Sequence, residues 1–228
     1  MRKRIMIGCD PEFELINNTN AVQAAEEVIK GDVCRKRIGA DGAGDALEFR
    51  PRPALRSKTL VKHLRSLFKR FKQTYPGFEI SVCGDTFAIG GHIHFGVGAP
   101  YVPSVLLLQL FDAVIGEVAM DKSGEARNSY RNLSKYKSNR HGFEYRTPSA
   151  ALFRKPEYVE VGVKLLQAAF SYYIAQRSRV EARYAIHDQS QELADSIRDR
   201  VLDDREKKIY AEFVDYKPTQ ENILSYWC

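Results

Sequence analysis

Polar and apolar residues alternate with a period of two in four short stretches of this chain. Side chains two apart on a strand share a face. In "DPEFEL" Glu12 and Glu14 share a face and Phe13 lies opposite. In "ALEFR" Glu48 and Arg50 oppose Leu47 and Phe49. In "GGHIHFG" His92 and His94 oppose Ile93 and Phe95. In "GFEYR" Glu144 and Arg146 oppose Phe143 and Tyr145. A single wet strand face is ordinary, but such faces usually carry Thr, Ser and Lys. Here all four carry Glu, His and Arg, which predicts that they converge on one cleft.

The rest of the pattern sets the architecture. "RIMIGCDPEFELI" predicts a strand interrupted at Pro11, and "AVQAAEEVI" a short helix. "GADGAGD" is a Gly-rich loop leading into "ALEFR". Over residues 59–71, Leu60, Val61, Leu64, Leu67, Phe68 and Phe71 recur at helical spacing, and "YPG" ends that helix. "FEISVC" and "FAIGGHIHFGV" predict neighbouring strands, and "PSVLLLQLFDAVIGEVA" an apolar helix with Pro near its start. Residues 121–142 are polar and basic without a period. From Pro156 to about Tyr216 the pattern is helical, in two long pieces broken near "AIHDQS". Strands and helices do not alternate as βαβ units, so the expected class is α+β with a mainly antiparallel sheet. The apolar stripe of the 59–71 helix is expected to pack on the side of the sheet away from the cleft.

Length and composition narrow the class. At 228 residues one domain spanning 1–228 is expected, with the motifs in 5–150 and a helical part over 155–228. The 44% hydrophobic and 28% charged content is that of a globular protein, and no apolar run reaches membrane-spanning length. The basic start "MRKRIMIG" has too short an apolar run for a signal peptide. Cys9, Cys34, Cys83 and Cys228 follow no regular spacing, so reduced thiols and a cytoplasmic location are expected. The net charge of +6 is local: from Phe49 to Phe78 there are nine Lys or Arg and no acid. Such a segment attracts phosphate, nucleotide or nucleic acid, or is simply a solvated basic helix face.

Clustered carboxylates repel unless a cation sits between them. Several Glu with an imidazole form a hard, oxygen-rich site suited to Mg2+ or Mn2+ more than to Zn2+. A zinc hydrolase fits less well, and a cupin-type iron site lacks its following Glu. Arg146, with Arg127, Arg131, Lys135, Lys137 and Arg140 just before it, offers cations for phosphate oxygens. A divalent ion beside arginines is the equipment of phosphoryl transfer, although no P-loop motif is present.

"DPEFEL", "LEFRP", "GGHIHFG" and "GFEYRTPS", in that order, resemble the phage-associated carboxylate–amine ligases (COOH.NH2 ligases, or amidoligases) of the glutamine synthetase and glutamate–cysteine ligase superfamily. The resemblance covers roughly residues 5–150 and implies a phage origin. It implies a curved antiparallel sheet whose concave face is an active-site funnel, helices on the convex side, ATP, and two or three Mg2+ or Mn2+ ions. By that resemblance Glu12, Glu14, Glu48, His94 and Glu144 are metal ligands, and Glu48, Glu144 and Arg146 are catalytic. His92, Arg127, Arg131, Lys137, Arg140 and Arg146 are the expected ATP or phosphate contacts. Relatives read approximately R-x-x-Y-G…Y-R before the last motif; here Arg131 replaces the Gly and Lys137 the final Arg.

The implied partners are ATP, a carboxylate and an amine, as a small molecule, peptide or cell-wall fragment. Nucleic acid and membrane have no part in that reaction. Asp10 and Asp41 are candidate bases for the amine. Asp45, or the whole "GADGAGD" loop, is equally read as structural. Two other classes stay open at this stage. "DALEFR" loosely resembles the D…E-x-K metal sites of nucleases, and a nucleotide-binding relative without turnover would carry the same motifs.

Overall fold

β1 (Met6–Asn17) is the strand on which the sheet of this computed structural model is assembled. The structure describes residues 5–29, 37–122, 124–130, 132–176 and 190–228. The first half of β1 pairs with β6 (Gly91–Gly96), from Met6 opposite Gly96 to Pro11 opposite Gly91. Its second half pairs with β2 (Val22–Gln23) and β5 (Phe78–Ser81). β4 (Leu47–Phe49) joins at Glu12 and Phe13 and carries β3 (Ile38–Ala40). β6 carries β8 (Gly142–Tyr145), and β8 carries β7 (Tyr136–Asn139). Every ladder is antiparallel, in the order β3-β4-β1-β6-β8-β7, with β2 and β5 attached to β1.

Several elements differ from expectation. β1 runs unbroken through Pro11. The Glu12 N–H donates to Gly90 on the β6 side, so the Pro11 nitrogen faces the other edge. There β4 pairs only Glu12 and Phe13, and the missing donor interrupts no ladder. β5 and β6 are not paired with each other; the twelve residues of β1 take them in succession. β3 and β7 were not expected, and the stretch "AVQAAEEVI", expected as one helix, is β2 followed by the single turn α1 (Ala25–Val28). The expected long helical piece beyond the break is two helices, α6 (Ser190–Val201) and α7 (Asp204–Asp215). Asp203 caps the second: its carboxylate accepts from Glu206 N–H, and the Glu206 carboxylate accepts from Asp203 N–H. The expected break near "AIHDQS", like Cys34, falls outside the described residues.

Helices cover the apolar face of the sheet. α2 (Ser57–Thr74) lays Leu60, Leu64, Phe68 and Phe71, all fully buried, against Phe13 and Phe49. The Phe68 ring meets those of Phe49 and Phe13 edge-on at 4.8 and 5.4 Å. Each such side chain contributes roughly 1.5–3 kcal/mol of burial. Phe95 stacks on Phe111 of α3 (Val105–Phe111) and on Phe143, with Phe170 of α5 (Pro156–Gln176) edge-on. The C-terminal turn at Leu224–Trp227 stacks Trp227 on Phe68 at 4.4 Å, and its indole N–H donates to Phe153 O.

The expected single helix after Pro103 is α3, a π turn (Asp112–Gly116) and α4 (Glu117–Asp121). The π turn accommodates the Tyr145 hydroxyl, which donates to Asp112 Oδ1 at 2.5 Å. Ser134 Oγ donates to Asp112 Oδ2, and Arg198 donates to the Ala113 and Val114 carbonyls inside the turn. Among the described residues no helix is long and apolar enough to cross a membrane.

Candidate active site

Register brings the four polar strand faces together. Glu12 lies opposite Glu48, Asp10 opposite His92, Gly8 opposite His94, and His94 opposite Glu144. The alternating partners Phe13, Leu47, Phe49, Ile93, Phe95, Phe143 and Tyr145 are buried in the core on the other side. One sheet face thus gathers carboxylates from β4, β1 and β8 around the two imidazoles of β6, which lies between β1 and β8.

The glycines of "GGHIHFG" make room for this. A Cβ at Gly90 would lie 2.4 Å from His92 Nε2 and 3.2 Å from Glu12 Oε2. One at Gly91 would meet the Ser149 carbonyl at 2.3 Å. The Gly90 N–H donates to Glu12 Oε2 at 2.7 Å, so the bare backbone also orients a carboxylate.

Asp10, His94 and Glu144 offer three ligand atoms within 4.8 Å of one another. His94 Nε2 approaches Asp10 Oδ1 to 2.8 Å. The two atoms face each other as an ion pair, and neither has a further hydrogen-bond partner. Buried polar atoms without partners are rare and mark a place where something else binds. Glu14 shows the same feature. Its Oε1 accepts from the Thr86 and Phe87 N–H groups at 2.6 and 2.9 Å, while its buried Oε2 has no partner. The donor set, carboxylates with one accessible imidazole, fits a hard divalent cation.

The electrostatics agree. Burial pushes the Glu12 carboxyl above its usual range. Glu48 is pushed up to about 7 by burial and by Asp10 and Glu12, against the pull of Arg50. Burial also opposes charge on Asp10, yet contacts with His92 and His94 hold it well below the ordinary carboxylate range. His94 is raised, its contact with Asp10 outweighing its burial. These carboxylates are crowded in a poorly solvated place, the condition a bound cation relieves.

Glu48→Gln tests this balance while keeping an acceptor for Arg50, which donates to Glu48 and to Ala40 O. A carboxyl raised in the folded state contributes stability below about pH 4.5 that is lost as pH rises through 7. Without divalent ions, the melting temperature of the variant relative to wild type should therefore climb between pH 5 and 8, by roughly a few degrees. Parallel curves in melts with chelator would show that Glu48 is not a raised acid.

The basic groups fall into distinct places. Arg146, one-third exposed, has Nε 3.3 Å from Glu144 Oε1. Lys137 lies opposite Glu144 on exposed β7. Arg140 is in the β7–β8 turn, donating to His141, and is not part of the cluster. Arg131 lies outside the described residues. His92 and Arg127, expected at phosphate, are both buried. His92 Nδ1 sits 3.3, 3.5 and 3.9 Å from oxygens of Glu144, Asp10 and Glu12, beneath the carboxylates it faces. Arg127 donates to the carbonyls of Arg146, Thr147 and Pro148, fixing the backbone that leaves β8. Asp41 accepts from the Gly44 and Ala46 N–H groups and organises the "GADGAGD" loop.

Asp10, expected only as a candidate base, and Lys135, expected only as one of several cations preceding Arg146, both take more specific places. Asp10 precedes Glu12 by two and shares its face, a signal that was present in the alternation. Lys135 stands beside Arg146 and Arg127, and partial burial with those two charges lowers its pKa.

The fold has known counterparts. A solved structure described as a novel glutamine synthase homolog superposes with a TM-score of 0.51 at 10% identity, covering 92% of this chain and 65% of the other. The chain thus has a glutamine synthetase-like fold and spans less than two thirds of that neighbour's length. No curated protein sequence matches it. The sequence model of the phage phiEco32-like COOH.NH2 ligase type 2 family matches residues 7–182, a span that runs from the second residue of β1 past α5 and holds every residue of the polar face, and the chain belongs to that family.

Proposed function

We propose that the polar face joins a carboxylate to an amine at the expense of ATP, through an acyl phosphate. The observation that carries this reading is the convergence of ligand atoms from Asp10, His94 and Glu144, with Asp10 Oδ1 and His94 Nε2 buried and without a hydrogen bond and Arg146 beside Glu144. Asp10, His94 and Glu144 would hold one Mg2+ or Mn2+; Glu12, Glu48 and the open oxygen of Glu14 would hold further ions. Held there, such ions would supply positive charge that offsets the charge developing in phosphoryl transfer.

The chain's own groups then divide the work. Arg146 and Lys135 hold the transferring phosphoryl group. A substrate carboxylate oxygen attacks the γ-phosphorus, the bond to the β,γ-bridging oxygen breaks, and ADP leaves. The amine attacks the acyl carbon, the C–O bond to phosphate breaks, and phosphate and a proton depart. His92 and Arg127 act from beneath, orienting carboxylates and the strand that carries Arg146. Holding both substrates on one face supplies proximity and keeps water from the acyl phosphate. Residues 1–228 are treated in this reading as one catalytic unit in the cytoplasm. A nuclease of the E-x-K type is disfavoured, because Arg50 stands at the Lys position and is committed to Glu48 and Ala40 O.

Calorimetric titration of ATP with and without Mg2+ tests the proposal. Binding should require the metal, and ADP release should then depend on adding both a carboxylate and an amine. Folded protein that binds no ATP with either Mg2+ or Mn2+ would overturn it.

A further inference from the structure

We infer that the outer face of α2 is a docking strip for the phosphate backbone of duplex nucleic acid. The helix packs its apolar side on Phe13 and Phe49, so this face points away from the carboxylate side of the sheet and takes no part in the ligase site. Lys62, Arg65, Lys69 and Lys72 follow one another at spacings of three and four, on one side of the helix. They span about 15 Å, at 1.5 Å per residue, one cation roughly every 5 Å.

All four are exposed, as is Arg70 beside them. Among the described residues none of the five forms an ion pair; in α2 only Lys58 does, with Glu160 at 3.7 Å. Surface cations are ordinarily interspersed with acids, and here residues 50–77 contain none. Ser66 and Gln73 lie between the cations and supply neutral donors, the other group that contacts phosphate. A shallow groove beside the row adds Arg37, Arg52 and His63.

The chemistry of the face selects the occupant. None of the exposed large apolar side chains lies on α2. Membrane-surface helices insert apolar groups, and protein interfaces are anchored by aromatic or aliphatic ones. Single strands are held by aromatic stacking platforms, and the face has no exposed aromatic ring. A row of unpaired cations with neutral donors and no anchor fits a duplex backbone, bound without sequence preference.

The test is fluorescence anisotropy with a labelled 20-base-pair DNA duplex, in chelator so that no metal chemistry intervenes. Wild type should bind at 50 mM salt and lose roughly 100-fold in affinity by 200 mM, as four phosphate contacts require. Lys62→Gln/Arg65→Gln/Lys69→Gln/Lys72→Gln should lose binding and keep its melting temperature and ATP affinity, since all four side chains are exposed. Glu12→Gln should bind DNA as wild type does. No binding at 50 mM salt, undiminished binding by the quadruple variant, or tighter binding to single-stranded DNA or to phosphatidylserine vesicles would each overturn the inference.

Discussion

Asp10→Asn combined with Glu144→Gln should abolish metal-dependent ATP binding and lower ADP release by roughly 1,000-fold or more. The two residues come from β1 and β8, brought together by the intervening β6. Both changes keep the side-chain volume and remove a negative charge from the group of converging ligand atoms found among the described residues. Contacts with His92 and His94 hold Asp10 ionised against its burial, so its charge is available to a cation. A metal supplies several kcal/mol of transition-state stabilisation, and each 1.4 kcal/mol is tenfold in rate. Calorimetry and a coupled ADP assay read the outcome, with thermal melts to confirm folding. Wild-type affinity for Mg-ATP in the double variant would move the site elsewhere on the sheet.

Gly116→Ala should cost on the order of 3 kcal/mol of stability or more. A Cβ there would lie 1.8 Å from the Tyr145 hydroxyl and 3.1 Å from Asp112 Oδ1. Overpacking alone costs about 1–3 kcal/mol, and breaking the buried Tyr145–Asp112 hydrogen bond leaves a desolvated carboxyl besides. A double-mutant cycle isolates the cause. In a Tyr145→Phe background the clash with the hydroxyl is gone, so Gly116→Ala should cost at least about 1 kcal/mol less there. Additive penalties in denaturant unfolding would show that the π turn does not exist to seat Tyr145. Tyr145 sits between Glu144 and Arg146, so the same contact sets where those two point on the opposite face.

The alternation of "DPEFEL", "ALEFR", "GGHIHFG" and "GFEYR" was enough to place the polar face, because side-chain direction in a strand is fixed by local geometry. The helical stripe of α2 was legible for the same reason. What escaped depends on distant partners. β7, "YKSN", is an exposed edge with no apolar period, and only its pairing with β8 makes it a strand. β3 is too short to show alternation. The π turn answers to Tyr145, about thirty residues later. Arg127 and His92 look in sequence like any phosphate-binding cation, and burial alone separates them from Arg146.

Trp227, stacked on Phe68, has a kinetic meaning. The two rings are separated by more than half the chain, and Ile223 N–H donates to Ile80 O across a similar distance. Contacts so remote in sequence carry a loop-closure cost that slows folding. Until they form, the inner stripe of α2 and the phenylalanines beneath it lack their cover. The motif-bearing half of the chain thus relies on the last helical turn to finish its own core. As the one tryptophan in the sequence, Trp227 carries a fluorophore at the point where that closure happens.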